Sequence, residues 1–351
     1  MTMAKEQNDE LTIKQVLDIA VKNHQEGKIR FAEFLYKKIL EKYPNNANAL
    51  HLLGLIFHQE NRNEEAIDYI RRAIEANPGN ALFYSNLGMV YDALGIEEES
   101  ARNFKNALDV DGHFNKAHVA HYNLGVFYAD RQMVKEALEH YNKAIELDEK
   151  FYDAHWNRSL VLLLLGRFEE GWKEYEYRFK KEKPSETRIF TKPKWDGSSL
   201  EGKRILIISE QGFGDSINFA RYIPFVKNKG AHVILESKKE LRKLFEGFEG
   251  FDEIIEKKAN IVPDVRFDYY IHLMSLPGIF NTRIDNIPGK IPYLKSEQGL
   301  AEKFKAQFSK KNFNVGIVWA GNPEQENDKN RTTRFEKFKI FKEISGIKLY
   351  S

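Results

Sequence analysis

The chain of 351 residues contains no cysteine. Disulfides, thiolate zinc sites and cysteine nucleophiles are therefore excluded. A large excess of one charge is missing too. Its 54 Lys and Arg stand against 52 Asp and Glu, a net charge of +2. A general electrostatic binder of nucleic acid would concentrate basic charge, so nucleic acid is not expected as a partner. Long apolar runs are also lacking. The longest, Leu160–Leu165, is far too short to span a bilayer. The polar opening MTMAKEQNDE has no apolar core of the signal-peptide kind. The expectations are no membrane span and a cytoplasmic location. What the chain does have is 42% hydrophobic residues, enough for sizeable cores, over a length that favours two domains.

The first half repeats. In a unit starting at Ala47, Leu53-Gly54 stand at positions 7 and 8, Ala66 at 20, Ala73 at 27 and Pro78 at 32. A unit starting 34 residues later, at Ala81, supplies Leu87-Gly88, Ser100, Ala107 and Gly112. Three extra residues, Asn115–Ala117, then interrupt the register, and a restart at His118 restores it with Leu124-Gly125, Ala137 and Ala144. A unit from Ile13 keeps Ala32 and Pro44, and a unit from Tyr152 keeps Ser159 and Gly171. Small residues in phase let two antiparallel helices approach closely, and Pro or Gly at position 32 stops the second helix. One helix pair cannot bury its apolar face alone, so units stack. The pattern resembles the tetratricopeptide repeat and predicts a solenoid of about five helix pairs over residues 13–183. Four histidines, His118, His121, His140 and His155, invite a metal reading. His121 and His155 share repeat position 4 with Leu50 and Tyr84, which favours packing, and no metal site is expected.

The pattern changes after the repeats. Residues 184–203, with prolines, turn residues and basic charge, read as a linker that Trp195 anchors. Next come an apolar β-rich run, RILIIS at 204–209, a helical stretch at 216–229, a second strand HVILES at 232–237 and a helix at 239–248. Further apolar runs begin at 252, 268 and 314. Strands alternating with helices predict a parallel α/β sheet: a first Rossmann-like lobe over 204–294 and the start of a second over 295–351. The latter comprises one strand, a helix at 334–345 and a last strand IKLYS. A strand left unpaired at the end of a domain is a poor terminus, and the chain is expected to be a truncated piece.

Ligands of open α/β sheets bind at the carboxyl ends of the strands. Two loops fall there. In the first, QGFGDS, Gly212 and Gly214 let a backbone approach a ligand at a helix N-terminus. It lacks the Lys of a P-loop. Ile217 stands where a dinucleotide fingerprint needs its third glycine, although Glu236 sits near the place of a ribose-binding acid. Asp215 can cap the helix or face the cleft as a general base; from the residues alone the cap is the more economical reading. The second loop runs from Trp319-Ala320-Gly321-Asn322 to Arg331-Thr332-Thr333 and carries donors suited to phosphate oxygens.

The runs PKWDGSSLEGKRILIISEQGFGDSINFARYIP, NVGIVWAGNP and NDKNRTTRF, placed after a repeat array, resemble bacterial tetratricopeptide-repeat glycosyltransferase-like proteins. Their catalytic part is similar to heptosyltransferases and to protein O-linked N-acetylglucosamine transferases. The resemblance spans about residues 13–351. It implies a two-lobed GT-B glycosyltransferase in which Asp215 deprotonates the acceptor hydroxyl. Gly212, Gly214, Asn322, Arg331 and Thr332 would contact substrate, Arg331 at a donor phosphate. The implied partners are a nucleotide-sugar donor, a protein or glycan acceptor, and a protein in the repeat groove; no cofactor is called for. With most of the donor lobe missing, this polypeptide is expected to be inactive as a transferase by itself. The alternative is a non-catalytic adaptor whose α/β part is a relic.

Overall fold

The computed structural model describes residues 12–295, 297–321 and 332–350. Its first half is five antiparallel helix pairs: α1 (Ile13–Gln25) with α2 (Ile29–Lys42), α3 (Ala47–Gln59) with α4 (Asn63–Ala76), α5 (Ala81–Ala93) with α6 (Glu97–Val110), α7 (Ala117–Asp130) with α8 (Val134–Leu147), and α9 (Tyr152–Leu164) with α10 (Phe168–Tyr175). Each pair packs on the next. The small residues lie where helices touch. A β-carbon on Gly54 would stand 2.7 Å from Ile70, and one on Gly125 would stand 2.5 Å from the Tyr141 ring. Ala66, Ala73, Ala107, Ala137 and Ala144 are fully buried. The three extra residues are absorbed at one joint. The loop 111–116 replaces the shorter connections 77–80 and 148–151, and α7 begins one residue early.

α10 runs straight into a 3-10 turn, Glu176–Phe179, and the chain then enters the α/β region. Four short strands, β1 (Arg204–Ile208), β2 (His232–Ser237), β3 (Glu253–Glu256) and β4 (Tyr269–His272), form a parallel sheet in the order β3-β2-β1-β4. Parallel strands are covered on both faces, and alternate residues divide accordingly. Ile205, Ile207, Val233 and Leu235 join a core with Tyr222, Val226 and Phe245. Leu206, Ile208 and Ile234 pack on Phe190 and Phe267. The run 184–203 is tied to this sheet: Trp195 is buried in the first core, its backbone N–H donates to Tyr270 O at 2.8 Å, and Lys194 bridges beside β4.

The helices of this region are shorter than the sequence periodicity suggests. The stretch 216–229 is split into α11 (Phe213–Phe219), a 3-10 turn and α12 (Ile223–Lys227). Pro224 lies inside it and has no N–H to continue the ladder. The helix expected over 239–248 is reduced to α13 (Arg242–Phe245), followed by Gly247 at φ +82°, a left-handed stop. α14 (Leu276–Ile279) follows β4. Further on, α15 (Gln298–Lys305) precedes β5 (Phe313–Gly316), which pairs in parallel with β6 (Ile347–Tyr350). The helix expected over 334–345 is a 3-10 stretch, Phe335–Glu343. Among the described residues, no helix is long and apolar enough to cross a membrane.

Candidate functional site

In a sheet of this order the chain reverses direction between β1 and β4, and the crevice outside their carboxyl ends is the place where such sheets bind ligands. Here that crevice is filled from the helical half. Arg178, in the 3-10 turn after α10, is fully buried. Its Nε and Nη2 donate to Glu210 Oε1 at 3.0 and 2.7 Å, just past β1. Nη2 also donates to Ser275 Oγ, past β4, at 2.8 Å. Nη1 donates to Glu176 at 2.8 Å and to Tyr175 O at 3.1 Å. All five guanidinium N–H groups are thereby used. Burial acts to raise the Glu176 carboxyl, but Arg178 and Lys194 together draw it down to about 2.

A second ion pair closes the neighbouring strand end. Arg188, from the run expected as a linker, grips Glu236 through both Nη atoms at 2.8 and 2.9 Å and also holds Glu186. Both partners of the Arg188–Glu236 pair are almost wholly buried. Glu236 is thus committed to an arginine and does not stand free for a ribose. Burial would raise the Glu186 carboxyl, yet the adjacent His272 and hydrogen bonds from the Arg188 guanidinium and backbone N–H hold it far below the usual range. His272, at the end of β4, lies 3.6 Å from Glu186 and against the Phe179 ring. Its burial keeps the imidazole neutral-favouring, against the pull of Glu186 and Glu210.

The glycine loop borders this network. Gln211 has φ +56°, a left-handed conformation uncommon outside glycine and frequent where structure is held for function. Lys238, beyond β2, fixes it by donating to Gln211 O at 2.7 Å. Asp215 Oδ2 accepts from the Gly212 N–H at 3.0 Å, so the carboxylate caps the start of α11. Gly214 has open space around it. Of the second loop, Asn322 and Arg331 lie outside the described residues. Thr332 Oγ1 accepts from the Gly321 N–H at 2.9 Å.

The open space lies beside Arg178. A cleft of about 580 Å³ separates α10 from the chain after β4; Glu169, Trp172, Lys173 and Glu176 form one wall, and Ser275 to Arg283 the other. None of Gly212, Gly214 and Asp215 lines it. The four histidines serve packing. His121 and His140 share a hydrogen bond of 2.9 Å, His155 bonds Glu174 at 2.6 Å, and His118 meets Phe151 edge-on. Among the described residues no group of three or more potential ligands is arranged for a metal ion.

Residues 25–81 and 118–151 match the tetratricopeptide repeat family. These helix pairs are tetratricopeptide repeats. The chain is 30% identical over 183 residues to the protein FlbA of Caulobacter vibrioides, a match covering 46% of this chain and 30% of that protein. It therefore spans less than a third of that relative's length. Among solved structures, the chain is similar to the MamA protein, with 24% identity over 48% of this chain and 91% of that one at a TM-score of 0.41. It is also similar to PilF of Pseudomonas aeruginosa, with 19% identity, 47% and 74% coverage and a TM-score of 0.44. A third is PilW, described as a type IV pilus biogenesis factor, at 19%, 49%, 78% and 0.43. These tetratricopeptide repeats point to a protein partner.

Sequence reasoning missed a recurring amide. Asn86, Asn123 and Asn157 all occupy position 6 of their repeat units, counted from Ala81, His118 and Tyr152, each in the first helix of its pair. Asn86 pairs with His51 of the preceding repeat at 2.7 Å, and Asn157 with Tyr122 at 3.1 Å. Asn123 lines a cavity of about 270 Å³ with Asp92 and Ser100. Reading the array one position at a time reveals it.

Proposed function

We propose that the repeat array holds an extended segment of a protein partner and presents it beside the α/β region. The observation that supports this best is the asparagine recurring at one position of three successive first helices. Asn123 lines a cavity of about 270 Å³ and offers a carboxamide donor and acceptor side by side, the same pair that a peptide unit presents. Asn86 and Asn157 bond His51 and Tyr122 of the preceding repeats and so hold the first helices on either side of it in register. Photo-crosslinking from position 123 tests the idea against crosslinking from Lys135 on the second-helix side. One discrete protein adduct from position 123, lost when Asn86 and Asn157 are changed to alanine, supports it. Equal labelling from both positions rejects it.

A second reading, transfer of a sugar from a nucleotide-sugar donor to a protein or glycan acceptor, is favoured by the strand order β3-β2-β1-β4 with a glycine loop at the carboxyl end of β1. In it, 204–294 and 295–351 belong to two lobes of a GT-B unit. Asp215 takes the acceptor proton, and Gly212 and Gly214 admit substrate. Asn322, Arg331 and Thr332 face the donor, and positive groups stabilise the departing nucleotide diphosphate. Turnover of a panel of nucleotide sugars by a chain carrying both lobes entire, compared between the unsubstituted form and Asp215→Ala, tests this. A folded but inactive variant supports it; equal turnover by both removes Asp215 from the chemistry.

A further inference from the structure

The cleft beside α10 is one part of a longer groove. It shares Glu169 and Arg283 with a second cleft of about 630 Å³ bounded by Gly166–Glu170 and Arg283–Asp285. It shares Lys173 with a third of about 220 Å³ behind α10. The three wrap one helix.

Its charges sort into two sets. Lys194 is paired with Glu176, Arg167 with Glu170, and Arg158 with Glu174. The rest form no ion pair among the described residues: Lys173 and Arg283, at the two junctions between clefts, and Glu169 and Asp285. Two cations and two carboxylates stand unengaged, and between them lie the Trp172 indole and the amide of Asn281. Trp172 is held in place by its Nε1, which donates to Thr282 O at 3.2 Å.

We propose that this groove binds a neutral oligosaccharide. An acidic chain would meet Glu169 and Asp285, and a basic one Lys173 and Arg283, so net charge on the ligand is disfavoured either way. Sugar hydroxyls both donate and accept, so each unengaged group of either sign finds a partner in a polyol. A fixed indole gives the apolar face of a sugar ring a surface to rest on. Three adjoining clefts of about 580, 630 and 220 Å³ give room for several rings rather than one. This rests on the transferase reading only in taking the glycan to be an acceptor; binding is measured with no donor present, so failure here leaves that reading to its own test.

The experiment is calorimetric titration of the full chain with maltohexaose, cellohexaose and chitohexaose, and with acetylated (Glu-Gly) and (Lys-Gly) peptides of similar length. Lys173 and Arg283 are exposed and unpaired, so Lys173→Ala and Arg283→Ala leave the fold intact. Trp172→Phe keeps an apolar floor, and its melting curve checks its fold. The expected result is saturable binding of at least one hexasaccharide, weakened about tenfold by Arg283→Ala, the scale of one hydrogen bond to a charged group, and by Trp172→Phe. Amide exchange slows at 166–175 and 275–285 in the complex. Binding of none of the three sugars overturns the proposal. So does sugar binding that survives both substitutions, or a peptide that binds where no sugar does.

Discussion

Removing the Arg178 guanidinium is the severest single test of how the two halves are joined. Arg178→Ala leaves Glu210 buried without its cation and takes a donor from Ser275 Oγ and from Tyr175 O. Breaking a buried pair by deleting one member costs about 3–5 kcal/mol. Arg178→Lys restores the charge but brings three donors for five acceptor contacts, and costs roughly half as much. Replacing both members, Arg178→Met with Glu210→Leu, removes the stranded charge and returns most of the loss, because apolar substitutes for a buried pair are often close to neutral. Urea unfolding read by tryptophan fluorescence measures each variant. Trypsin reports the joint directly, since undocking exposes Lys181, which is half-buried, and Arg188, which is buried. A cost below about 1 kcal/mol for Arg178→Ala, the level of an exposed ion pair, would refute the reasoning. So would strictly additive effects in the double variant.

The repeats carry a pH dependence of their own. Burial lowers the His51 imidazole to about 4 and that of His121 to about 4. The unfolded chain therefore binds protons that the folded one refuses, and stability falls as pH drops from about 6.5 to 4; for His51 alone the loss is roughly 3 kcal/mol, and His51→Gln should flatten a urea titration over that window. At the joint the sign comes from a carboxylate. Glu176 is depressed to about 2, so its contribution is present above about pH 4.5 and disappears as pH falls towards 2, which trypsin sensitivity at the joint will show. Gly125→Ala drives a β-carbon into the Tyr141 ring and should destabilise by about 1–3 kcal/mol in a thermal melt. Gly214→Ala meets nothing and should leave the melt unchanged or raise it slightly, which makes it a clean probe of ligand approach at that loop.

The repeat array was legible because its signal is periodic. Gly54, Gly88 and Gly125 recur in phase, and the physical demand they meet, close approach of paired helices, is the same in each unit. The strands at 204 and 232 were legible as short β-branched runs. Helix lengths in the α/β region were not, because Pro224 and Gly247 override the apolar pattern around them. The buried Arg178 was the least visible feature, though a signal existed. Gly171, Tyr175 and Arg178 are all buried and follow one another at helical spacing, so the arginine occupies an inward-facing position of an apolar stripe. Glu210 and Glu236 each close an apolar strand run in the same way. Charges found in line with buried residues are candidates for pairing with one another across the fold, a matching that needs three-dimensional information.

The long joint at 111–116 bears on what the array can transmit. A solenoid's units touch only their neighbours, so a twist imposed at α1 reaches α10 only by passing every intermediate joint. Four connections would be rigid relays of equal gearing if all were alike. The six-residue one between α6 and α7 nevertheless leaves its joint packed, with Ala101 and Phe104 of α6 against Ala120 and Leu124 of α7. Its extra length is taken up in the loop, and the stack runs unbroken to Arg178. Torque applied by a partner at α1 is thus relayed through every joint before it can turn the guanidinium, whereas a partner seated on α7–α10 acts on the crevice through fewer of them.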